Sequence, residues 1–95
     1  MRPLDTTRLI CINAAGDYAE AVTRSGTHML RARLVELEDA LGQGFLRVHR
    51  STIVNIEKAE RVEPSGGGRL PVHLGNGSAV TASRAGAKAI RERAL

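Results

Sequence analysis

Ninety-five residues with an apolar fraction of 42% allow one hydrophobic core and exclude two independently folding units. One Tyr, one Phe and no Trp leave that core to Leu, Ile, Val and Ala, and argue against nucleic-acid readers that rest bases on exposed rings. Fourteen Lys and Arg stand against ten Asp and Glu, a formal charge of +4, and twelve of the cations are Arg, whose planar fork matches guanine edges and phosphates.

The single Cys11 excludes an intramolecular disulfide, and the sequence has neither a signal-like apolar run nor a membrane span, so a cytoplasmic domain without membrane contact is expected. Cys11 lies in Leu9-Ile10-Cys11-Ile12, where the thiol reads as a small buried apolar group.

Residues 1–7 are polar and contain Pro3, which reads as a lead-in or the remnant of a linker, leaving 8–95 as the domain. Leu9 to Ala14 and Tyr18 to Thr23 read as strands joined through Ala15-Gly16-Asp17. Ser25-Gly26 then turns the chain into Thr27 to Arg31, a third antiparallel strand. Leu34, Leu37 and Leu41 form one apolar stripe on a short helix over 33–41 that Gly42 ends, with an acidic outer face. A helix this short is marginal alone and has to lie against the sheet.

The stretch Phe45-Leu46-Arg47-Val48-His49-Arg50-Ser51-Thr52-Ile53-Val54-Asn55 begins as an alternating strand and breaks into a polar turn carrying Arg50, Ser51 and Thr52. In a regular strand Leu46 and Val48 share one face, Arg47 and His49 the other, and Arg50 is delivered to the turn with its approach already set. Lys58 to Val62 reads as a strand and Pro64-Ser65-Gly66-Gly67-Gly68 as a turn. The glycine run is no phosphate loop, since neither Lys-Ser nor Lys-Thr follows it. Leu70 to Leu74 and Ser78 to Ala82 flank Gly75-Asn76-Gly77, a hairpin signal. Ser83 can cap a final helix over 84–94.

The order Ala15-Gly16-Asp17-Tyr18, Leu34-x-x-Leu37-Glu38-x-x-Leu41, Phe45-x-Arg47-Val48-His49-Arg50-Ser51-x-x-Val54-Asn55, and Leu74-x-Asn76-Gly77 followed by Ser83-Arg84 resembles the LytTR (LytR/AgrA-type) DNA-binding family over nearly the whole chain. The resemblance implies a mainly β, elongated antiparallel fold of several small sheets, with one short mid-chain helix and a C-terminal helix. It also implies sequence-specific binding of double-stranded DNA by a bacterial transcription regulator whose loops enter the major groove, commonly at paired direct repeats occupied by two copies. In such proteins the domain is usually attached behind a receiver domain or a membrane segment, so an upstream receiver or sensor domain is expected. Carried over, the base-contacting positions are Arg50 and Arg84, and a further contact falls near Asp17 and Tyr18. Asp17 departs from basic versions of that loop; it would repel phosphate, although a carboxylate can accept from a cytosine amino group.

Physical chemistry adds supporting roles. Ser51, Thr52 and Lys88 suit phosphate contacts that fix register. His49 reads as a structural histidine or a DNA ligand. Asn55 reads as a cap that closes the turn and aims Arg50. Without the family pattern, Arg50 and Arg84 read as surface arginines paired to Glu57 or Glu60.

No enzymatic activity, cofactor or metal is expected. Asp17, His49 and Ser51 can be written as a hydrolase triad, but no nucleophile-elbow pattern surrounds Ser51, and His28, His49, His73 and Cys11 lack a ligand spacing. The competing class is a protein-interaction or RNA-binding β domain that uses exposed strand edges.

Overall fold

A computed structural model of the chain describes residues 6–62, 70–75 and 77–94. After a 3₁₀ turn over Thr6–Arg8 come strands β1 (Cys11–Ala15), β2 (Tyr18–Thr23) and β3 (Gly26–Leu30), then helix α1 (Leu34–Leu41) and a second 3₁₀ turn over Gly42–Gly44. β4 (Phe45–His49) and β5 (Thr52–Asn55) follow, and a third 3₁₀ turn over Ile56–Lys58 leads to β6 (Ala59–Val62), β7 (Leu70–Leu74), β8 (Ala79–Ala82) and helix α2 (Arg84–Ala94). Residues 1–5 of the expected lead-in over 1–7, the glycine-rich turn over 64–68 and Asn76 of the last hairpin lie outside the described residues, while Thr6 and Thr7 belong to the first 3₁₀ turn.

The strands form two antiparallel sheets, one of five in the order β3-β2-β1-β5-β4 and one of three in the order β6-β7-β8. Side chains alternate across a strand, and the central strands of the larger sheet use both faces. Ile12 and Ile53 join Leu9, Ala19, Ala21 and Leu34 in a core under α1. Their neighbours Cys11 and Val54 join Val48, Val72, Leu74, Ala82, Ala87 and Ile90 in a second core, between the larger sheet, the smaller sheet and α2. The five-stranded sheet is therefore the middle layer. The molecule measures 43 × 23 × 22 Å, elongated as expected.

α1 forms where the Leu stripe placed it, with Leu34 buried and Leu37 and Leu41 packed against the same core. Its start is tied by Glu36, whose Oε1 accepts the Arg33 backbone N–H at 3.1 Å. β1 begins at Cys11, two residues later than expected. Leu9 and Ile10 are nonetheless buried, and Ile10 N–H donates to the Val22 carbonyl at 2.8 Å. β3 stops at Leu30, so Arg31 belongs to the connection, and Thr52 belongs to β5 and not to the turn.

β4 departs from regular alternation. Arg47 pairs with Ile53 and His49 with Thr52, leaving Val48 without a partner in β5. The bulge modifies the expectation that Arg47 and His49 simply share one face of a regular strand.

Candidate nucleic-acid interface

Antiparallel pairing brings the expected contact residues to one end of the five-stranded sheet. β1 leaves this end through Gly16 and Asp17 into Tyr18, with Gly16 in the left-handed region at φ 64°. β4 leaves it through Arg50 and Ser51 into β5, and Ala14 N–H donates to the Ser51 carbonyl at 2.8 Å, so the two turns are directly linked. β3 also ends here, because Leu30 pairs with Ala19.

The turn carrying Arg50 is held by its neighbours' side chains, since among the described residues no non-glycine has a positive φ. Arg47 Nη2 donates to the Arg50 carbonyl at 2.6 Å, and Arg47 Nη1 lies 3.6 Å from Glu38 Oε1 of α1. On the other side, Ser51 N–H donates to His49 Nδ1 at 3.2 Å, and the Ser51 hydroxyl stands 2.8 Å from the same nitrogen. Accepting that backbone N–H leaves the proton of the neutral imidazole on Nε2. The backbone of Arg50 is thus fixed while its side chain is exposed. Among the described residues no acid pairs with its guanidinium; Glu57 sits beyond the opposite end of β5.

Thr52 is 7% exposed, and its hydroxyl donates to Asn13 Oδ1 at 3.1 Å, bonding β5 to β1 just behind the turn. Asn55 is 3% exposed and lies at the other end of β5. Its Nδ2 donates to the Leu9 carbonyl at 2.8 Å and its Oδ1 accepts Glu57 N–H at 3.0 Å. Asn55 does cap, but the structure it closes is the Ile56–Lys58 turn. It does not close the turn that carries Arg50, because a whole strand separates them.

The second arginine reaches the same region through the bulge in β4. The Val48 carbonyl accepts Ser83 N–H at 2.8 Å and the Ser83 hydroxyl at 3.3 Å. Ser83 Oγ also accepts Gly86 N–H at 3.1 Å, the expected cap of α2. The helix can approach this closely only at a glycine. A Cβ on Gly86 would overlap the Val48 carbonyl and stand 2.7 Å from its Cα. Arg84, exposed in the first turn of α2, is thereby tied through Ser83 to the residue two before Arg50. Lys88, also exposed, follows four residues later on the same helical face.

Tyr18, 44% exposed, and the exposed Asp17 border a concavity of about 480 Å³ that also includes Arg31, Arg33, Arg47 and Arg50. Arg31 and Arg33 were not singled out from the sequence. Counting antiparallel strands would have put them at the Asp17 end, but only the fold shows that β4 turns there too. The histidines do not converge: His28 is on β3, His49 at the Arg50 turn and His73 on β7. Among the described residues no helix is long and apolar enough to cross a membrane.

Comparison with known proteins identifies the family and the fold. The LytTr DNA-binding domain family matches residues 1–94. An uncharacterised HTH-type transcriptional regulator of Staphylococcus aureus (strain bovine RF122 / ET3-1) is 36% identical over 73 residues, covering 77% of this chain and 50% of that protein. The chain therefore spans about half the length of that relative. A solved LytTr DNA-binding domain, from a Bacillus cereus protein described as a methyl-accepting/DNA response regulator, superposes with a TM-score of 0.89 at 23% identity, covering 98% of this chain and 86% of that one. The family is a DNA-binding and not an enzymatic one, so the contact between His49 and Ser51 braces a turn instead of activating a nucleophile. With the family matched from residue 1 to residue 94, this chain belongs to the LytTr DNA-binding domain family.

Proposed function

We propose that this domain reads double-stranded DNA sequence-specifically for a bacterial transcription regulator, with Arg50 and Arg84 contacting bases in the major groove. The observation that carries the reading is the link through the Val48 carbonyl, which joins the Ser83-Arg84 step to the Arg50 turn at one end of the sheet. A guanidinium held on a fixed backbone suits the two parallel hydrogen bonds to guanine O6 and N7, worth about 1–3 kcal/mol of discrimination per base.

Lys88 and Tyr18 supply phosphate contacts, which fix register without reading sequence. His49, Ser51, Thr52 and Asn55 support the site from within, since their polar atoms already hold the turn and the sheet. Asp17 faces a cytosine amino group or none. In this reading two copies occupy direct repeats, a receiver or sensor domain belongs to the same regulator, and the protein works in the cytoplasm.

Selection of bound duplexes from a random pool tests the proposal, followed by affinities of Arg50→Ala and Arg84→Ala for the enriched site. The expected result is a short enriched motif, each substitution relaxing a different base position at a cost of about 1–3 kcal/mol. Equal binding of duplex, single-stranded DNA and RNA, with no enriched motif, would sink the sequence-reading proposal and favour a protein-interaction or RNA-binding domain.

A further inference from the structure

The concavity beside the Arg50 turn holds cationic groups that base reading does not use. It lies between the β1–β2 turn and the β4–β5 turn, and the connection from β3 to α1 lines it with Arg31 and Arg33. Four arginines and two acids, Asp17 and Glu36, line it, leaving positive charge in excess. The carboxylate of Glu36 is occupied by the Arg33 backbone N–H. Arg47 is engaged with the Arg50 carbonyl and lies beside Glu38 of α1, so it stands behind the concavity and leaves Arg31 and Arg33 as its forward cations. Arg31 and Arg33 are exposed, and among the described residues neither guanidinium is taken up by an acid.

We propose that Arg31 and Arg33, with Arg47 behind them, form a cradle for a backbone phosphodiester of the bound duplex. The inference rests on the DNA-binding reading and extends it to a third strand connection. If the two turns carry side chains to base edges, the recess between them faces sugar and phosphate, where arginine fixes position and carries no sequence information. Each phosphate neutralised releases condensed counterions, which gives the cradle a signature distinct from that of Arg50 and Arg84.

Binding of the enriched duplex and of an unrelated duplex is measured from low to moderate salt for the wild type, Arg31→Ala/Arg33→Ala, Arg31→Lys/Arg33→Lys and Arg24→Ala. Arg24 is the charge control, being exposed in the β2–β3 turn at the opposite end of the sheet. The double alanine variant should weaken both duplexes by the same factor and lower the slope of log K against log salt by about one per arginine. The lysine pair should keep the slope, and Arg24→Ala should match the wild type. An unchanged slope in the double alanine variant overturns the cradle, as does an equal loss in Arg24→Ala, which would reduce the effect to net charge. Should the double alanine chain fail to fold, Arg31→Gln/Arg33→Gln carries the same test. Failure of the wild type to prefer any duplex would count against the DNA-reading proposal itself, a result separable from these.

Discussion

Asn55 belongs to the motif most specific to this family, yet its side chain is occupied far from the exposed arginines. It joins residues 46 apart in sequence, giving its amide N–H to the Leu9 carbonyl and its oxygen to Glu57 N–H. Truncation to Ala leaves the Leu9 carbonyl buried without its donor and removes a cap. An orphaned buried group costs about 1–3 kcal/mol and a lost cap about 1 kcal/mol. Asn55→Ala should therefore destabilise the fold by roughly 2–4 kcal/mol, read as a lower urea midpoint with an unchanged slope. Base preference at temperatures where the variant is folded should match the wild type. A relaxed base preference with unchanged stability would reverse this assignment and return Asn55 to the interface.

At the scale of elements, the contact of α2 with β4 decides where Arg84 stands, and it turns on Gly86. In an exposed helix, Gly→Ala gains about 1 kcal/mol of helix propensity. Here the added methyl would strike the Val48 backbone, which is held by its own strand and by Ser83, so neither side can yield cheaply. Overpacking of this kind costs about 1–3 kcal/mol, and Gly86→Ala should lower the thermal midpoint and, by lifting the first turn of α2, weaken DNA binding. A rise in the midpoint would show that the helix can move away from β4 freely. This contact also marks the limit of what the sequence discloses. Alternation, turn residues and the Leu stripe are local signals, and they located seven of the eight described strands and both helices to within about two residues, while β5 was too short to be read as a strand after the Arg50 turn. Ser83 was readable as a cap for the same reason. The bulge at Val48, the close approach at Gly86 and the gathering of Arg31 and Arg33 with Arg50 depend on which strands become neighbours, and a linear pattern does not encode that. Asn55 failed differently: its capping chemistry was legible, but which turn it served was not.

For the whole molecule, the decisive feature is that one sheet serves two cores, so neither face can be exposed without disturbing β1 and β5. Cys11 reports on that coupling because it is 4% exposed, on a strand bonded on both sides, and part of the core shared with α2. Burial raises its thiol pKa above the ordinary 9.0, outweighing the hydrogen bond from Asn13, while the charge on Glu20 adds to the rise. Well below pH 9.0 the thiol is protonated in both folded and unfolded chains and contributes no pH dependence. As pH rises further, the unfolded chain ionises first and binds fewer protons than the native state, so stability falls until the folded thiol also ionises. Cys11→Ala provides the reference that isolates the thiol. The expected outcome is a steeper loss of stability above pH 9.0 in the wild type than in Cys11→Ala. In the same experiments a maleimide should label native Cys11 at a rate that rises with urea as steeply as global unfolding does. Rapid labelling independent of urea would mean that β1 opens locally, and the two cores would then not behave as one cooperative unit.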